Sequence, residues 1–151
     1  MMKPGKLVVL ASSKWVLFNI ATGRVSKITP EMEETYACID KSVFEYDGFD
    51  KKVSDSDFLI TTPSFEYTIL ERDIDSNHHV NNTNYIDYAY ESIPKDVLKE
   101  LDFKNIEVVY KHEAKLGETI LCFYSQLETG EHIVIIKNKA QNKLHSIVRL
   151  Y

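Results

Sequence analysis

From Ser64 onward the chain sets Phe65, Tyr67 and Ile69 against Glu66, Thr68 and Leu70, the period-two alternation of a strand. A polar run follows, and then "NYIDYAYESI" places Tyr85, Ile86, Ala89, Tyr90 and Ile93 at helical spacing, ending at Pro94. "PKDVLKEL" predicts a short second helix with Val97, Leu98 and Leu101 on one side. Strands are predicted at 105–114, 118–127, 132–139 and 143–151, with Gly117, Gly130 and "QNK" at 141–143 in the turns between them, so antiparallel neighbours are expected. "HIVIIK" is the most continuously apolar stretch and should be central in the sheet. A strand, a helix apolar around its circumference and four antiparallel strands predict an α+β fold, a sheet wrapped around one long helix.

The first part of the chain reads differently. Residues 6–28 predict two strands around a loop, closed by the "ATGR" turn, and Thr29 followed by Pro30 predicts a short helix over "PEMEETYACI". From Asp40 to Pro63 the sequence is charged and irregular, which predicts a linker. The expected division is an N-terminal hairpin and linker at 1–61 and a main domain at 62–151.

Composition narrows the function classes. A net charge of −5 argues against nucleic acid as the main partner, since phosphate binding needs basic clusters. No apolar run reaches the length of a membrane span. The stretch "MMKPGKLVVLASSKW" makes a poor signal peptide, because its short apolar part runs into Ser12, Ser13, Lys14 and Trp15. A cytoplasmic location with no membrane partner is therefore expected. Cys38 and Cys122 fit neither a disulfide framework nor a zinc pattern. "NNT" at 81–83 matches a glycosylation sequon, which has no meaning without secretion.

The chemistry concentrates in "DIDSNHHVNNTNYIDYAYE", residues 73–91. Polar atoms crowded beside a core helix must be hydrogen-bonded or they cost stability. Asp73, Asp75 and Asn77 alternate as in a calcium loop, but His78 stands where glycine is required and Asn84 where glutamate is. Zinc binding through His78, His79 and His112 lacks a recognised ligand spacing, so no metal and no cofactor are expected. Capping by Asn81 or Asn82 explains part of the run but leaves Asp75, Asn77 and His79 without a purpose.

This run closely resembles the motif D-x-D-x-N-x-H-V-N-N-x-x-Y-I of acyl-(acyl carrier protein) thioesterases. "KNIEVVYKHEAKLGE" resembles the strand that follows in that family, and "ASSKWVLFNIATGRVSKI" looks like the last two strands of its first domain. The resemblance implies a hot-dog fold and hydrolysis of a fatty acyl thioester on acyl carrier protein (ACP), with acyl-coenzyme A a further substrate. Carried over by position, it implies a catalytic set of Asp75, Asn77, His79 and Glu113. Asp75 would attack the carbonyl or act as base to water, Asn77 and His79 would hold it or donate to the carbonyl oxygen, and Glu113 would polarise His79 or the water. Backbone N–H groups at the helix N-terminus would help stabilise the oxyanion.

Two departures stand out. Ala114 follows Glu113 where the family often carries cysteine, so no sulfur nucleophile is available there. The family normally joins two hot-dog domains in one chain, whereas this sequence reads as the catalytic half preceded by a hairpin remnant. A homodimer is expected to replace the missing neighbour, with residues 6–28 packed on a sheet. The alternative reading is a weakly active or inactive remnant that binds acyl groups or pairs with a partner subunit. Lys95, Lys99, Lys104, Lys111 and Lys115 flank the motif and could offer an acidic carrier a basic face.

Overall fold

Asn19 opens a tight turn in the first part of the chain. Its side-chain Oδ1 accepts from Thr22 N–H (2.9 Å) and its carbonyl accepts from Gly23 N–H (2.9 Å). Gly23 takes φ of 64°, a left-handed conformation that costs glycine little. The turn joins β1 (Phe18–Asn19) and β2 (Arg24–Val25), an antiparallel pair much shorter than the predicted strands. Thr29 then caps α1 (Pro30–Thr35), its side chain accepting from Met32 N–H with Pro30 at the first position.

The computed structural model describes residues 11, 13, 16–36, 49, 62–100 and 103–151. The chain divides into two compact units, Met1–Phe49 and Asp50–Tyr151. Most of the predicted linker, the end of the first predicted helix with Cys38, and the start of the first predicted strand lie outside the described residues.

In the second unit, β3 (Phe65–Thr68), β4 (Ile106–Tyr110), β5 (Thr119–Gln126), β6 (His132–Asn138) and β7 (Leu144–Leu150) form one antiparallel sheet of order β3-β5-β6-β7-β4. The helix α2 (Asn84–Ser92) packs on β5, β6 and β7. Tyr85, Tyr88 and Ala89 of the helix, followed by Ile93, meet Ile120, Cys122, Val134, Ile136, Val148 and Leu150 of the sheet. Each aliphatic side chain of that size contributes roughly 1.5–3 kcal/mol when fully buried. This sheet packed on a helix is the hot-dog fold.

The unbroken apolar run of β6 has a direct cause. Val134 and Ile136 face the helix, while Ile133 and Ile135 on the opposite face are also buried. Pro94 ends α2 after nine residues by holding Ile93 extended (φ −79°, ψ 134°), and α3 (Lys95–Glu100) follows. The helical stretch is thus two short helices, as the sequence predicts, and the helix that packs on the sheet is nine residues long.

β4 is shorter than the predicted strand 105–114. Its ladder ends at Tyr110, where Lys111 and His112 both donate their N–H to the carbonyl of His145 (2.8 and 3.2 Å). Glu113 consequently sits on an irregular segment, not on a strand. Among the described residues no helix is long and apolar enough to cross a membrane.

Candidate active site

The polar run folds as a tight loop between the sheet and α2. Asp73 is buried, and its Oδ2 accepts from Tyr67 Oη (2.9 Å) and from Leu70 N–H (2.8 Å). Its carbonyl accepts from Asn81 N–H and from the Asn84 side chain (2.9 and 3.0 Å). Asp73 is thus a fastening for the start of the helix, and its carboxylate faces Tyr67 rather than a calcium loop. Ile74 bridges Val80, and Asp75 N–H donates to the His79 carbonyl (2.9 Å), which closes the loop 75–79 on itself. The closure requires a left-handed residue at His78, φ 63°. Neither Asn81 nor Asn82 is the helix cap: Thr83 holds that position without a side-chain cap bond, and Asn81 instead shapes the turn before it, its Oδ1 accepting from both Thr83 N–H and Thr83 Oγ1 (3.0 and 2.9 Å).

Asp75 is held by this loop. Its Oδ1 accepts from the Asn77 N–H (2.8 Å) and the His79 N–H (3.4 Å), while Oδ2 takes a longer bond from the Asn77 amide (3.4 Å). The Asn77 backbone bond, with the His79 N–H and Asn77 side chain behind it, holds the carboxyl below its ordinary range. The group is an anion at neutral pH, with Oδ2 the less engaged oxygen. Asp75 therefore does cap its turn, as any aspartate there would, and still presents a carboxylate.

The segment after β4 brings Glu113 to the same place. His79 Nε2 lies 3.0 Å from Glu113 Oε2. Asp75, Asn77, His79 and Glu113 line one open cleft of about 360 Å³, walled by Asn82, Tyr85 and Tyr110. The structure thus brings together all four residues singled out from the sequence. His112 lines this cleft as well, but among the described residues no group of three His, Cys, Asp or Glu side chains gathers to hold a metal ion.

Ala114 explains how the segment is anchored. It is fully buried; its N–H donates to Tyr85 Oη (3.0 Å) and its carbonyl accepts from Val80 N–H (3.0 Å). Tyr110 completes the wall, donating from its hydroxyl to the Asn82 carbonyl (2.9 Å) and meeting Tyr85 edge-on at 5.6 Å. Among the described residues no carbonyl accepts from the Asn82 N–H, which leaves a donor at the start of the helix. Sequence reasoning passed over Tyr85 and Tyr110, because aromatic residues at such spacing read as core. The Tyr85 hydroxyl was the missed signal, since a buried hydroxyl needs a partner.

Comparison with known proteins shows the family. Residues 61–148 match the acyl-ACP thioesterase C-terminal domain family. A palmitoyl-acyl carrier protein thioesterase of Cuphea hookeriana is 33% identical over 117 residues, covering 72% of this chain and 27% of that protein. Oleoyl-acyl carrier protein thioesterase 2 of Arabidopsis thaliana is 27% identical over 123 residues, covering 77% of this chain and 33% of its own. The chain thus spans about a third or less of the length of these curated relatives. Among solved structures, an acyl-ACP thioesterase from Bacteroides thetaiotaomicron superposes with a TM-score of 0.69 at 20% identity, over 88% of this chain and 51% of that one. A 12:0-ACP thioesterase from Umbellularia californica gives the same values, and at this identity both speak for the fold. The chain belongs to the acyl-ACP thioesterase family, and residues 61–148 are its C-terminal domain.

Proposed function

We propose that this protein hydrolyses the thioester of a fatty acyl group on acyl carrier protein, releasing the fatty acid and the carrier thiol, with acyl-coenzyme A as a further substrate. The observation that carries this reading is the single cleft lined by Asp75, Asn77, His79 and Glu113 at the start of α2. In the nucleophilic route the Asp75 carboxylate attacks the thioester carbonyl, the C–S bond breaks to release the carrier thiol, and water cleaves the resulting anhydride to regenerate Asp75. In the general-base route Asp75 takes a proton from water, which attacks directly. The lowered pKa keeps the Asp75 carboxylate ionised, as both routes require. The His79–Glu113 pair would orient the water or supply the leaving thiolate with its proton. The Asn82 N–H is the candidate donor to the oxyanion, a role worth about 10²-fold in rate when well aimed.

Assembly and location belong to the same proposal. β3 and β4 are the edge strands of the sheet, and an edge left open seeks a partner strand. A homodimer is the simplest closed arrangement. We place the reaction in the cytoplasm, whereas the plant relatives carry a chloroplast location in their names.

Thiol release from acyl-ACP and acyl-coenzyme A substrates of several chain lengths tests the activity. Turnover that disappears with Asp75→Asn supports it. Saturable acyl binding without any thiol release would instead establish the alternative of an inactive acyl-binding protein. Sedimentation at micromolar concentration tests the dimer, and a strictly monomeric species would overturn it.

A further inference from the structure

Glu113 reaches His79 from a side chain that is 67% exposed, so its position depends on the backbone that carries it. That backbone, residues 111–115, is irregular and would drift if nothing held its two ends. The buried His145 side chain lies behind it. His145 falls at a break in the β6–β7 ladder, where Ile136 pairs with Ser146 and Lys137 with Leu144, so His145 is the unpaired extra residue of a bulge. The bulge turns the His145 carbonyl toward the incoming segment, and the N–H groups of Lys111 and His112 donate to it.

The ring closes the same grip from the other side. His145 Nδ1 lies 3.0 Å from the His112 carbonyl. A carbonyl only accepts, so Nδ1 carries the proton. Nε2 is buried without a hydrogen-bond partner and lies 3.5 Å from Glu118 Oε2. Glu118 Oε2 in turn accepts from the Lys115 N–H (3.3 Å) at the far end of the segment. His145 and Glu118 thus stand together behind the loop, one holding residues 111–112 and the other residue 115. Tyr85 and Val80 hold Ala114 between them.

We propose that His145, together with Glu118 at the far end, is a positioning residue that fixes the segment 111–115 and so sets the Glu113 carboxylate against His79. The inference rests on the proposed thioesterase reading for its kinetic consequence, but the grip itself is a structural claim with its own readout. His145→Ala removes the donor to the His112 carbonyl. His145→Asn keeps a donor, since the asparagine Nδ2 stands the same number of bonds from Cα as the histidine Nδ1.

The test combines thiol-release kinetics with amide hydrogen exchange over residues 111–115. The expected result for His145→Ala is a fall in kcat of roughly 10- to 100-fold, the scale of a misplaced catalytic group, with faster exchange in that segment. KM should stay within about twofold. His145→Asn should restore most of both, and Glu118→Ala should give a smaller loss of the same kind. Wild-type kcat and wild-type exchange in His145→Ala would overturn the proposal. So would equal losses in the Ala and Asn variants with exchange raised across the whole sheet, which marks a merely structural histidine. If His145→Ala fails to fold, Glu118→Ala decides: undisturbed kcat and exchange there overturn the proposal. If the wild-type protein releases no thiol from any substrate, the thioesterase reading fails, and exchange over 111–115 in the variants still decides the grip.

Discussion

The His79 imidazole and the Glu113 carboxylate meet at 3.0 Å, joining the loop before α2 to the segment after β4. Both are open to solvent, with side-chain exposures of 32% and 67%. An exposed ion pair adds little to stability, typically about 0–1 kcal/mol. On the proposed reading its value lies in chemistry rather than in holding the fold.

That separation gives the first expected outcome. Glu113→Gln should lower kcat by roughly 10-fold or more while leaving the thermal midpoint nearly unchanged. Combining it with His79→Ala should cost far less than the product of the two single losses, because the pair works as a unit. Fully multiplicative losses would separate the two residues.

Asp75→Asn should lower turnover by on the order of 10²-fold or more in a folded protein. The asparagine carbonyl can still accept from the Asn77 and His79 N–H groups, so the turn survives while the charge does not. Asp75→Ala removes the cap too and should also lose about 0.5–2 kcal/mol of stability. Turnover at the wild-type level in folded Asp75→Asn would remove Asp75 from the chemistry.

The fold and the site were legible to different depths. The strand periods and the HIVIIK run were readable because burial on one or both faces writes itself into hydropathy. Pro94 marked the end of α2 for a backbone reason. The end of β4 was not readable, because it depends on the bulge at His145, a tertiary partner far along the chain. The resemblance of the 73–91 run singled out Asp75, Asn77 and His79, but nothing local revealed that Asp73 is bound by Tyr67 or that His78 takes a left-handed backbone. Likewise the role of Tyr85 emerges only when Ala114 arrives beside its hydroxyl.

Thiol-alkylating reagents should leave the activity of the folded protein intact. Cys122 is fully buried, and burial pushes its thiol up to about 12, far from the reactive thiolate. Ala114 holds the position beside Glu113 where sulfur chemistry would otherwise be available. Substrate-protected inactivation by N-ethylmaleimide, mapped by mass spectrometry, would show that a cysteine serves the site.

Metal removal should likewise be without effect. Asp75 is engaged by amide donors and His79 by Glu113, an arrangement that satisfies these ligand-type groups within the protein. Assay after dialysis against a chelator checks this. Activity lost on dialysis and restored by one divalent cation would contradict the carboxylate mechanism.

Stability should fall as the pH drops below about 6.5, and His132 and His145 give the reason. Both are about 1% exposed, and burial lowers the pKa of each from the ordinary histidine value of 6.5. His132 Nδ1 meets Tyr124 Oη at 2.8 Å, while its Nε2 is buried without a partner and has nothing to stabilise a second proton. Near His145 the His112 carbonyl and then the Glu118 carboxylate pull the other way, but burial is the larger effect. A lowered folded pKa means that the unfolded chain binds more protons than the folded one, so stability rises with pH through this window. The contribution is fully present above 6.5 and is lost from there downward toward the folded values. Urea unfolding followed by far-ultraviolet circular dichroism at pH 7.5 and 5.5 should show the lower midpoint at 5.5. His132→Asn keeps a polar partner for Tyr124 and cannot titrate, so the gap between the two midpoints should narrow. An unchanged gap would assign the acid sensitivity to carboxylates such as Asp75, whose lowered pKa acts in the same direction at lower pH.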